Sequence, residues 1–258
     1  NPPRDLQFRA LFCAPPGRKI VVADYSQIEL RVAALISNDQ VMLEAYNKEI
    51  DLHRKTAAAI TGVALDRISD NDRQKAKAVN FGLLYGQGTL GLIGYAKTTY
   101  GVNMTEAEAK AAQTKFFETY EGLRSWQNRS VEKARETNQV RTIGGRIYRF
   151  PHGFKYTKAL NIPIQGSAAE VILHAMIRLV DKINTLSADI RLVNIVHDEI
   201  VLETAEADAE TATCILEEAM IAGMLDVFPD ACTKKLVEAH TGANWAEAKK
   251  GVGLAPSE

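Results

Sequence analysis

Near both ends of the chain, β-branched and apolar residues form short continuous runs that are typical of buried strands. The predicted strands are 19–24, 190–196 and 199–202, with 235–239 as a candidate edge strand. Between the terminal runs the apolar positions recur mostly at helical spacing, and a further helix is predicted near the C-terminal end. The predicted helices are one after Ser26, then 40–47, 51–60, 70–85, 105–120, 123–137, 167–183 and 207–224.

Three local signals refine this pattern. Thr105 with Glu108 fits a capping box, and Gly144-Gly145 predicts a hairpin over 140–149. Pro163 and Gly166 are expected to interrupt the helical stretch that resumes at Ser167. Distant strands with helices between them predict an α+β fold, in which a sheet carries a long helical insertion.

Composition narrows the class of protein. Of the 258 residues, 46% are hydrophobic and 24% are charged, as in ordinary globular domains. The three cysteines are scattered and fit neither a disulfide framework nor a zinc site, and no apolar run is long enough to span a membrane. Gly86–Gly91 matches GxGxxG by letter but follows a helical pattern, which argues against a dinucleotide site.

The formal net charge of −1 seen alone would argue against a nucleic-acid partner. This value is a sum over the whole chain, however, and the distribution of the charges matters more. No acidic residue occurs between Thr137 and Ala169, and the same stretch carries interleaved basic and aromatic residues. Basic side chains can neutralise phosphates and aromatic faces can stack on bases. A solvated hairpin with ordinary core aromatics is the alternative. The residues are Arg141, Arg146, Tyr148, Arg149, Phe150, His152, Phe154, Lys155, Tyr156 and Lys158.

Two strands end in carboxylates. Asp24 follows the first predicted strand, and His197-Asp198-Glu199 separates the strands at 190–196 and 199–202. Asp24 alone could be a helix-capping acid, and the second segment alone could be a solvated turn. Pairing of the strands would place Asp24 beside Asp198, and divalent cations relieve the repulsion of such a pair. Two-metal phosphoryl transfer requires this arrangement.

One helix face changes from cationic to aromatic. Arg73, Lys77, Phe81 and Tyr85 recur every four residues and share one slowly rotating face. The stripe is about 18 Å long, enough for a nucleoside triphosphate with its phosphates at the cationic end. A mixed amphipathic helix is the alternative.

Together these segments resemble the motifs of family A DNA polymerases, the bacterial DNA polymerase I group. Asp24–Arg31 is similar to motif A, Arg73–Gly86 to motif B, and His197–Glu199 to motif C. Residues 51–57 and 161–166 add two further matches in order. The resemblance extends from about Leu6 to Trp245.

The resemblance implies a palm at 1–60 and 161–258, with fingers and a return hairpin at 61–160. It implies two Mg²⁺ ions, replaceable by Mn²⁺, as cofactors. The metal ligands would be Asp24, Asp198 and the backbone carbonyl of Tyr25, with Glu199 as a supporting acid. The triphosphate would be held by residues from three motifs, with Lys77 also a candidate proton donor to pyrophosphate. These residues are Gln27, His53, Arg73 and Lys77.

The resemblance also assigns selectivity and DNA contacts. Glu29 would be a steric gate against ribonucleotides, with Tyr85 as its partner at the template base position. Phe81 would pack on the incoming nucleotide and disfavour dideoxynucleotides. The expected contacts with primer–template DNA are made by Asn161 and Gln165 in the minor groove, His197 at the primer terminus, and Arg146 and Arg149.

The expected function is therefore template-directed DNA synthesis from dNTPs, in replication or repair. The alternatives are a single-subunit RNA polymerase of related fold, which Glu29 and the HDE form of motif C disfavour, and a non-catalytic DNA-binding remnant. The thumb and any exonuclease domain are expected to lie outside these residues, and no membrane partner is expected. The expected location is a bacterial or phage-infected cytoplasm or a DNA-containing organelle, without secretion.

Overall fold

The computed structural model describes residues 6–250, so the ends of the ranges 1–60 and 161–258 lie outside the described residues. The chain divides into two compact units. Of the described residues, we call 6–28 with 168–250 the sheet unit, and 29–167 the helical unit. The assignment of palm and fingers to the three sequence ranges stays a prediction.

Along the chain the elements are α1 (Leu6–Arg9), β1 (Arg18–Tyr25), α2 (Ile28–Ser37), α3 (Gln40–Asn47), α4 (Leu52–Thr61), α5 (Asp70–Leu84), α6 (Thr89–Tyr100), α7 (Glu106–Thr119), α8 (Glu121–Thr137), β2 (Gln139–Arg141), β3 (Ile147–Arg149), α9 (Tyr156–Thr185), β4 (Ile190–Val196), β5 (Glu199–Ala205), α10 (Ala209–Val227), β6 (Val237–Gly242) and α11 (Trp245–Lys250). This mixture of helices and antiparallel strands confirms the predicted α+β class.

The sheet unit contains an antiparallel four-stranded sheet in the order β4-β5-β1-β6. The middle of β1 is fully buried, as its β-branched run predicts, and the predicted edge strand is observed as β6. On one side, the hydroxyl of Tyr25 donates to the carbonyl oxygen of Met220 in α10 at 2.6 Å. Trp245 of α11 belongs to a core cluster with Val22 and Val201. Strands from both ends of the chain therefore share one core.

Long-range caps organise the helical unit. Asp39 is only 1% exposed, and its two carboxylate oxygens accept from Met42 N at the start of α3 and from Leu123 N in α8, each at 3.0 Å. A Cβ added to Gly122 would lie 2.7 Å from the Asp39 Cα, so the approach of the two backbones requires glycine. The capping box of Thr105 and Glu108 is confirmed.

The predicted interruption at Pro163 and Gly166 is wrong, because α9 continues from Tyr156 to Thr185. An interior proline costs a helix about 3 kcal/mol. The fully buried side chains of Leu160 and Ile164 each stabilise the helix by about 1.5–3 kcal/mol, which offsets that cost. A Cβ on Gly166 would lie 2.5 Å from Thr142 Cγ2, so this glycine allows close packing of the hairpin.

Three of the α-helices described between residues 6 and 250 were not predicted, namely α1, α6 and α11. Gly91 and Gly94 weaken the helical pattern of α6, while α1 has only four residues and α11 only six. None of the helices described between residues 6 and 250 is long and apolar enough to cross a membrane.

Candidate active site

Three acidic residues meet where β1 and the β4–β5 turn end. Asp24 of β1 lies directly opposite Glu199, the first residue of β5. Asp198 occupies the turn just before Glu199, and its carbonyl oxygen accepts from Tyr25 N at 3.3 Å. Strand pairing therefore sets Asp24 opposite Glu199 and brings the backbone of Asp198 against that of Tyr25, and the pairing of the Asp24 and Asp198 carboxylates stays a prediction.

Cations and an indole hold two of these acids. Lys249 Nζ lies 2.5 Å from both Asp24 Oδ2 and Glu199 Oε2. Arg9 Nη1 lies 3.1 Å from each Glu199 oxygen, and the Trp245 Nε1–H donates to Glu199 Oε1. The Glu199 side chain is only 5% exposed, and a carboxylate this buried requires such partners. Burial lowers the pKa of Lys249, but attraction by Asp24 and Glu199 outweighs it, so the pKa is raised.

Sequence patterns did not reveal Arg9, Trp245 or Lys249. They lie on the short helices α1 and α11, about 190 and 50 residues from Glu199 along the chain. Trp245 and Lys249 are four residues apart, so both side chains lie on one face of a helix. This spacing is the only signal in the local sequence that could have linked the two residues.

The donor chemistry of this cluster suits a hard divalent cation. Its donors are carboxylate oxygens, which hard divalent cations prefer. Two of these carboxylates, Asp24 and Glu199, already stabilise a positive charge, that of the Lys249 ammonium group. Among the residues from 6 to 250, however, no three His, Cys, Asp or Glu side chains form a ready-made metal cluster. The three acids therefore match Mg²⁺ in ligand type and charge, although their side chains are not gathered around one point.

Backbone strain occurs next to the acids. Gln27, just after β1, has φ 55°, and His197, next to Asp198, has φ 58°. A left-handed conformation costs a residue other than glycine about 1–3 kcal/mol and is common at functional sites. Gln27 is half-buried and His197 is exposed.

In the helical unit, the predicted stripe on α5 is half-buried along its whole length, whereas Ala76, Val79 and Leu83 between its members are buried. The stripe therefore forms a face of its own beside the core. The Phe81 ring centroid lies 5.9 Å from that of His53 and 6.3 Å from that of Tyr85. Lys77 Nζ lies 5.9 Å from the Tyr100 ring centroid. The structure thus assembles the predicted residues of α5 with His53.

Arg73, at the cationic end, is oriented by Asp51. Its Nε lies 2.8 Å and its Nη2 2.7 Å from Asp51 Oδ2. The other Asp51 oxygen caps α4 by accepting from His53 N at 2.8 Å. Burial would raise the pKa of Asp51, but the hydrogen bonds from Arg73 and the α4 backbone lower it below its usual range. The ion pair therefore fixes where the guanidinium group lies.

Glu29, Tyr85 and Gln165 form a second group in the helical unit. The Tyr85 hydroxyl donates to Glu29 Oε2, as the resemblance predicted. Burial and then the charge of Glu29 raise the pKa of Tyr85, and the Gln165 side chain acts against this rise. Gly86 follows with φ 73°, and a Cβ there would lie 2.6 Å from the Tyr156 ring. This glycine is required both by its backbone conformation and by its packing.

The basic hairpin separates into an exposed part and a core part. Arg146 and Arg149 are exposed, whereas Phe150 is 2% exposed and packs with Tyr148 and Phe154. Phe150 is therefore a core aromatic and cannot stack on bases. Asn161 is half-buried on α9, and its buried Oδ1 atom has no hydrogen-bond partner among residues 6–250.

Comparison with known proteins agrees with these motifs. The family described as DNA polymerase family A matches residues 3–247. DNA polymerase I of Aquifex aeolicus is 39% identical over 82% of this chain and 37% of its own length, and that of Pseudomonas aeruginosa is 35% identical over 94% and 26%. The chain thus spans well under half the length of these relatives.

Among solved structures, the POL domain of Pol1 from M. smegmatis, in complex with DNA primer-template and dNTP, has a TM-score of 0.83 and 29% identity. The match covers 96% of this chain and 44% of that one. The family match alone extends over nearly the whole chain. The chain belongs to DNA polymerase family A.

Proposed function

We propose that this chain carries the polymerase centre of a DNA-directed DNA polymerase, which adds dNTPs to a primer 3′-hydroxyl by two-metal phosphoryl transfer. The observation that carries the proposal is the register of β1 and β5, which sets Asp24 against Glu199 with Asp198 in the adjoining turn. A protein that only bound DNA would not need three acids at one strand end, where they repel phosphates.

In the sheet unit, Asp24, Asp198 and the backbone carbonyl of Tyr25 would hold two Mg²⁺ ions, or Mn²⁺ in their place. Such ions activate the 3′-hydroxyl and stabilise the charge of the leaving pyrophosphate. Glu199 keeps Asp24 in place through Lys249, which contacts both carboxylates. We assign Gln27 to the triphosphate and His197 to the primer terminus.

In the helical unit, Arg73, Lys77 and His53 would bind the triphosphate, and Phe81 would pack against the nucleoside. The Asp51 ion pair supports this role because it places the guanidinium group before a ligand arrives. Lys77 is the candidate proton donor to pyrophosphate. This unit contains the region that we assign as fingers.

Duplex contacts and sugar selection are assigned to the same unit. Glu29, braced by Tyr85, would exclude the ribose 2′-hydroxyl. Asn161 and Gln165 would contact the minor groove, where acceptors are shared by all base pairs. The exposed Arg146 and Arg149 would contact phosphates.

The test is primer extension with Mg²⁺, with dNTPs or rNTPs, by the wild-type chain and its Asp24→Asn and Asp198→Asn variants. We expect extension with dNTPs and a loss of about a thousandfold or more in both variants, since each lacks a charge-stabilising ligand. Glu238→Gln is the matched control, because Glu238 pairs with Asp24 on the other side of β1 and its side chain is 72% exposed.

Equal extension by Asp24→Asn and wild type would contradict the metal assignment. Preferential use of rNTPs would instead indicate the RNA polymerase alternative. Binding of primer–template DNA without Mg²⁺-dependent extension would indicate the non-catalytic alternative.

A further inference from the structure

A buried hydrogen-bond network connects His53 to the middle of the helical unit. Asn80 Nδ2 lies 2.7 Å from His53 Nδ1, and Asn80 Oδ1 accepts from Thr56 Oγ1 at 2.8 Å. Thr56 Oγ1 also lies 2.8 Å from the Tyr120 hydroxyl. Asn80 is 1% exposed and His53 is 2% exposed. The proposed roles of the α5 stripe do not include Asn80, which lies on the buried side of that helix.

The orientation of the Asn80 amide, with Oδ1 toward Thr56 and Nδ2 toward His53, bears on where the imidazole carries its proton. Thr56 Oγ1 lies 2.8 Å from both Asn80 Oδ1 and the Leu52 carbonyl oxygen, and its one hydrogen can be donated to only one of them. With Oδ1 on the Thr56 side, the Asn80 NH₂ group faces the ring and donates to it. The His53 Nδ1 atom can accept only if it is unprotonated. The single ring proton then lies on Nε2, and a second proton on Nδ1 would oppose the amide hydrogens.

The charges around the ring act in the same direction. Burial, together with the cations of Arg73 and Lys77 on α5 and against the attraction of Asp51, lowers the pKa of His53 to about 4. Tyr120, which ends the network, keeps its proton because burial raises its pKa. The imidazole is therefore neutral near neutral pH, and its tautomer decides whether it can donate.

We propose that Asn80 is a positioning residue that holds His53 as a neutral Nε2–H donor for the phosphate oxygens of the incoming nucleotide. The inference rests on the proposed triphosphate role of His53. In this arrangement His53 contributes a directed hydrogen bond, while Arg73 and Lys77 contribute the charge. In this proposal the Thr56 hydrogen is assigned to Asn80 Oδ1, which orients the amide, and the amide then selects the tautomer of the ring.

The first test measures the tautomer directly in the folded, nucleotide-free chain by NMR of ¹⁵N-labelled histidine. The chain has five histidines, and loss of one signal in His53→Gln assigns the one of interest. We expect a protonated Nε2 and an unprotonated Nδ1 in the wild type. A wild-type His53 protonated on Nδ1 would overturn the proposal, since the amide would then face the ring with its oxygen. This measurement needs neither activity nor the Asn80 variant.

The second test reverses the hydrogen bond with Asn80→Asp, which has nearly the same shape. The new carboxylate accepts from Nδ1, so neutral His53 loses its Nε2 proton, and protonation at lower pH restores the donor. Between about pH 6 and about pH 9 we expect the KM for dNTP to rise about tenfold in this variant, with kcat changed less. The KM of the wild type for dNTP should not rise in this way over the same pH range. A flat pH profile in Asn80→Asp, with its tautomer unchanged, would also overturn the proposal.

The matched control is Gln127→Leu. Gln127 is another buried amide in the helical unit, and it donates to the carbonyl oxygens of Leu83 and Leu84 at 2.9 and 3.2 Å. The Gln127→Leu variant should be less stable than wild type. Its His53 tautomer and the pH dependence of its KM for dNTP should be the same as in wild type. If His53→Gln leaves the KM for dNTP unchanged while the predicted tautomer is observed, the triphosphate role fails and the positioning role of Asn80 remains.

Discussion

The ammonium nitrogen of Lys249 lies 2.5 Å from Oδ2 of Asp24, so the carboxylate proposed to hold metal already has a cation of the chain itself beside it. The same nitrogen lies 2.5 Å from Glu199 Oε2. A divalent ion that binds these oxygens must displace the ammonium group or share the carboxylates with it. Metal affinity and the stability of the metal-free chain are therefore linked through one residue.

We expect Lys249→Met to bind Mn²⁺ about tenfold more tightly than wild type, because the competing cation is gone. Electron paramagnetic resonance of free Mn²⁺ would measure this without DNA or nucleotide. The metal-free variant should be less stable by about 3 kcal/mol, since two acids lose their partner. Lys48→Met, which removes an exposed ion pair with Glu44, is the control. Weaker Mn²⁺ binding by Lys249→Met would show that Lys249 supports the ion.

The contact between Glu29 and Tyr85 predicts graded loss of sugar selection. Glu29→Ala should raise ribonucleotide incorporation relative to dNTP by about ten- to a hundredfold, because a bulky group is removed. Tyr85→Phe should have a smaller effect, since Glu29 keeps its volume but loses its donor. Competition between one rNTP and its dNTP in primer extension gives the ratio. Unchanged selectivity in Glu29→Ala would reject the gate.

Two glycines predict opposite effects on stability. Gly122→Ala should lower the free energy of unfolding by about 1–3 kcal/mol, because its Cβ would lie 2.7 Å from a backbone atom of Asp39. Gly94→Ala, in the interior of α6 with open space around it, should raise it by about 0.5–1 kcal/mol. Chemical denaturation of both variants tests the pair, and equal effects would contradict the close approach at Gly122.

The pH dependence of stability should reveal the burial of His53. Its pKa is about 4 in the folded chain, against an ordinary value of 6.5, so between these values the unfolded chain binds a proton that the folded chain does not. Stability should therefore decrease as pH falls through this range, by about 3 kcal/mol in total. His53→Gln should remove this component, and His152→Gln, which replaces an exposed histidine, should keep it. Parallel curves for wild type and His53→Gln would contradict the prediction.

Sequence periodicity predicted most elements because buried strands such as β1 and amphipathic helices such as α5 carry their own burial pattern. It failed at α9, where tertiary burial of Leu160 and Ile164 offsets the cost of Pro163. The candidate site likewise has a part that the sequence pattern predicted and a part that it did not. Its acids follow predicted strands, whereas Lys249 reaches Asp24 from 225 residues away, and no local pattern encodes such a contact.

Asn80 shows another limit of sequence reasoning. It lies inside the motif that identified the α5 stripe, but it is on the buried side of α5 with Val79 and Leu83. The pattern therefore assigned it to the core-facing side of the helix. Its contact with His53 on α4 became visible only when the two helices were packed. A buried amide in a helix is a polar group that must find a partner, and that requirement is the signal that could have drawn attention to it.

The shared cap at Asp39 has a consequence for how the helical unit folds. One carboxylate accepts from residues at the starts of two helices, and its bond to Leu123 closes a loop of 84 residues. Closing such a loop has an entropic cost that the local bond to Met42 does not have. We therefore expect this contact to form late, after the intervening helices have collapsed, and to make α3 and α8 unfold together instead of fraying separately.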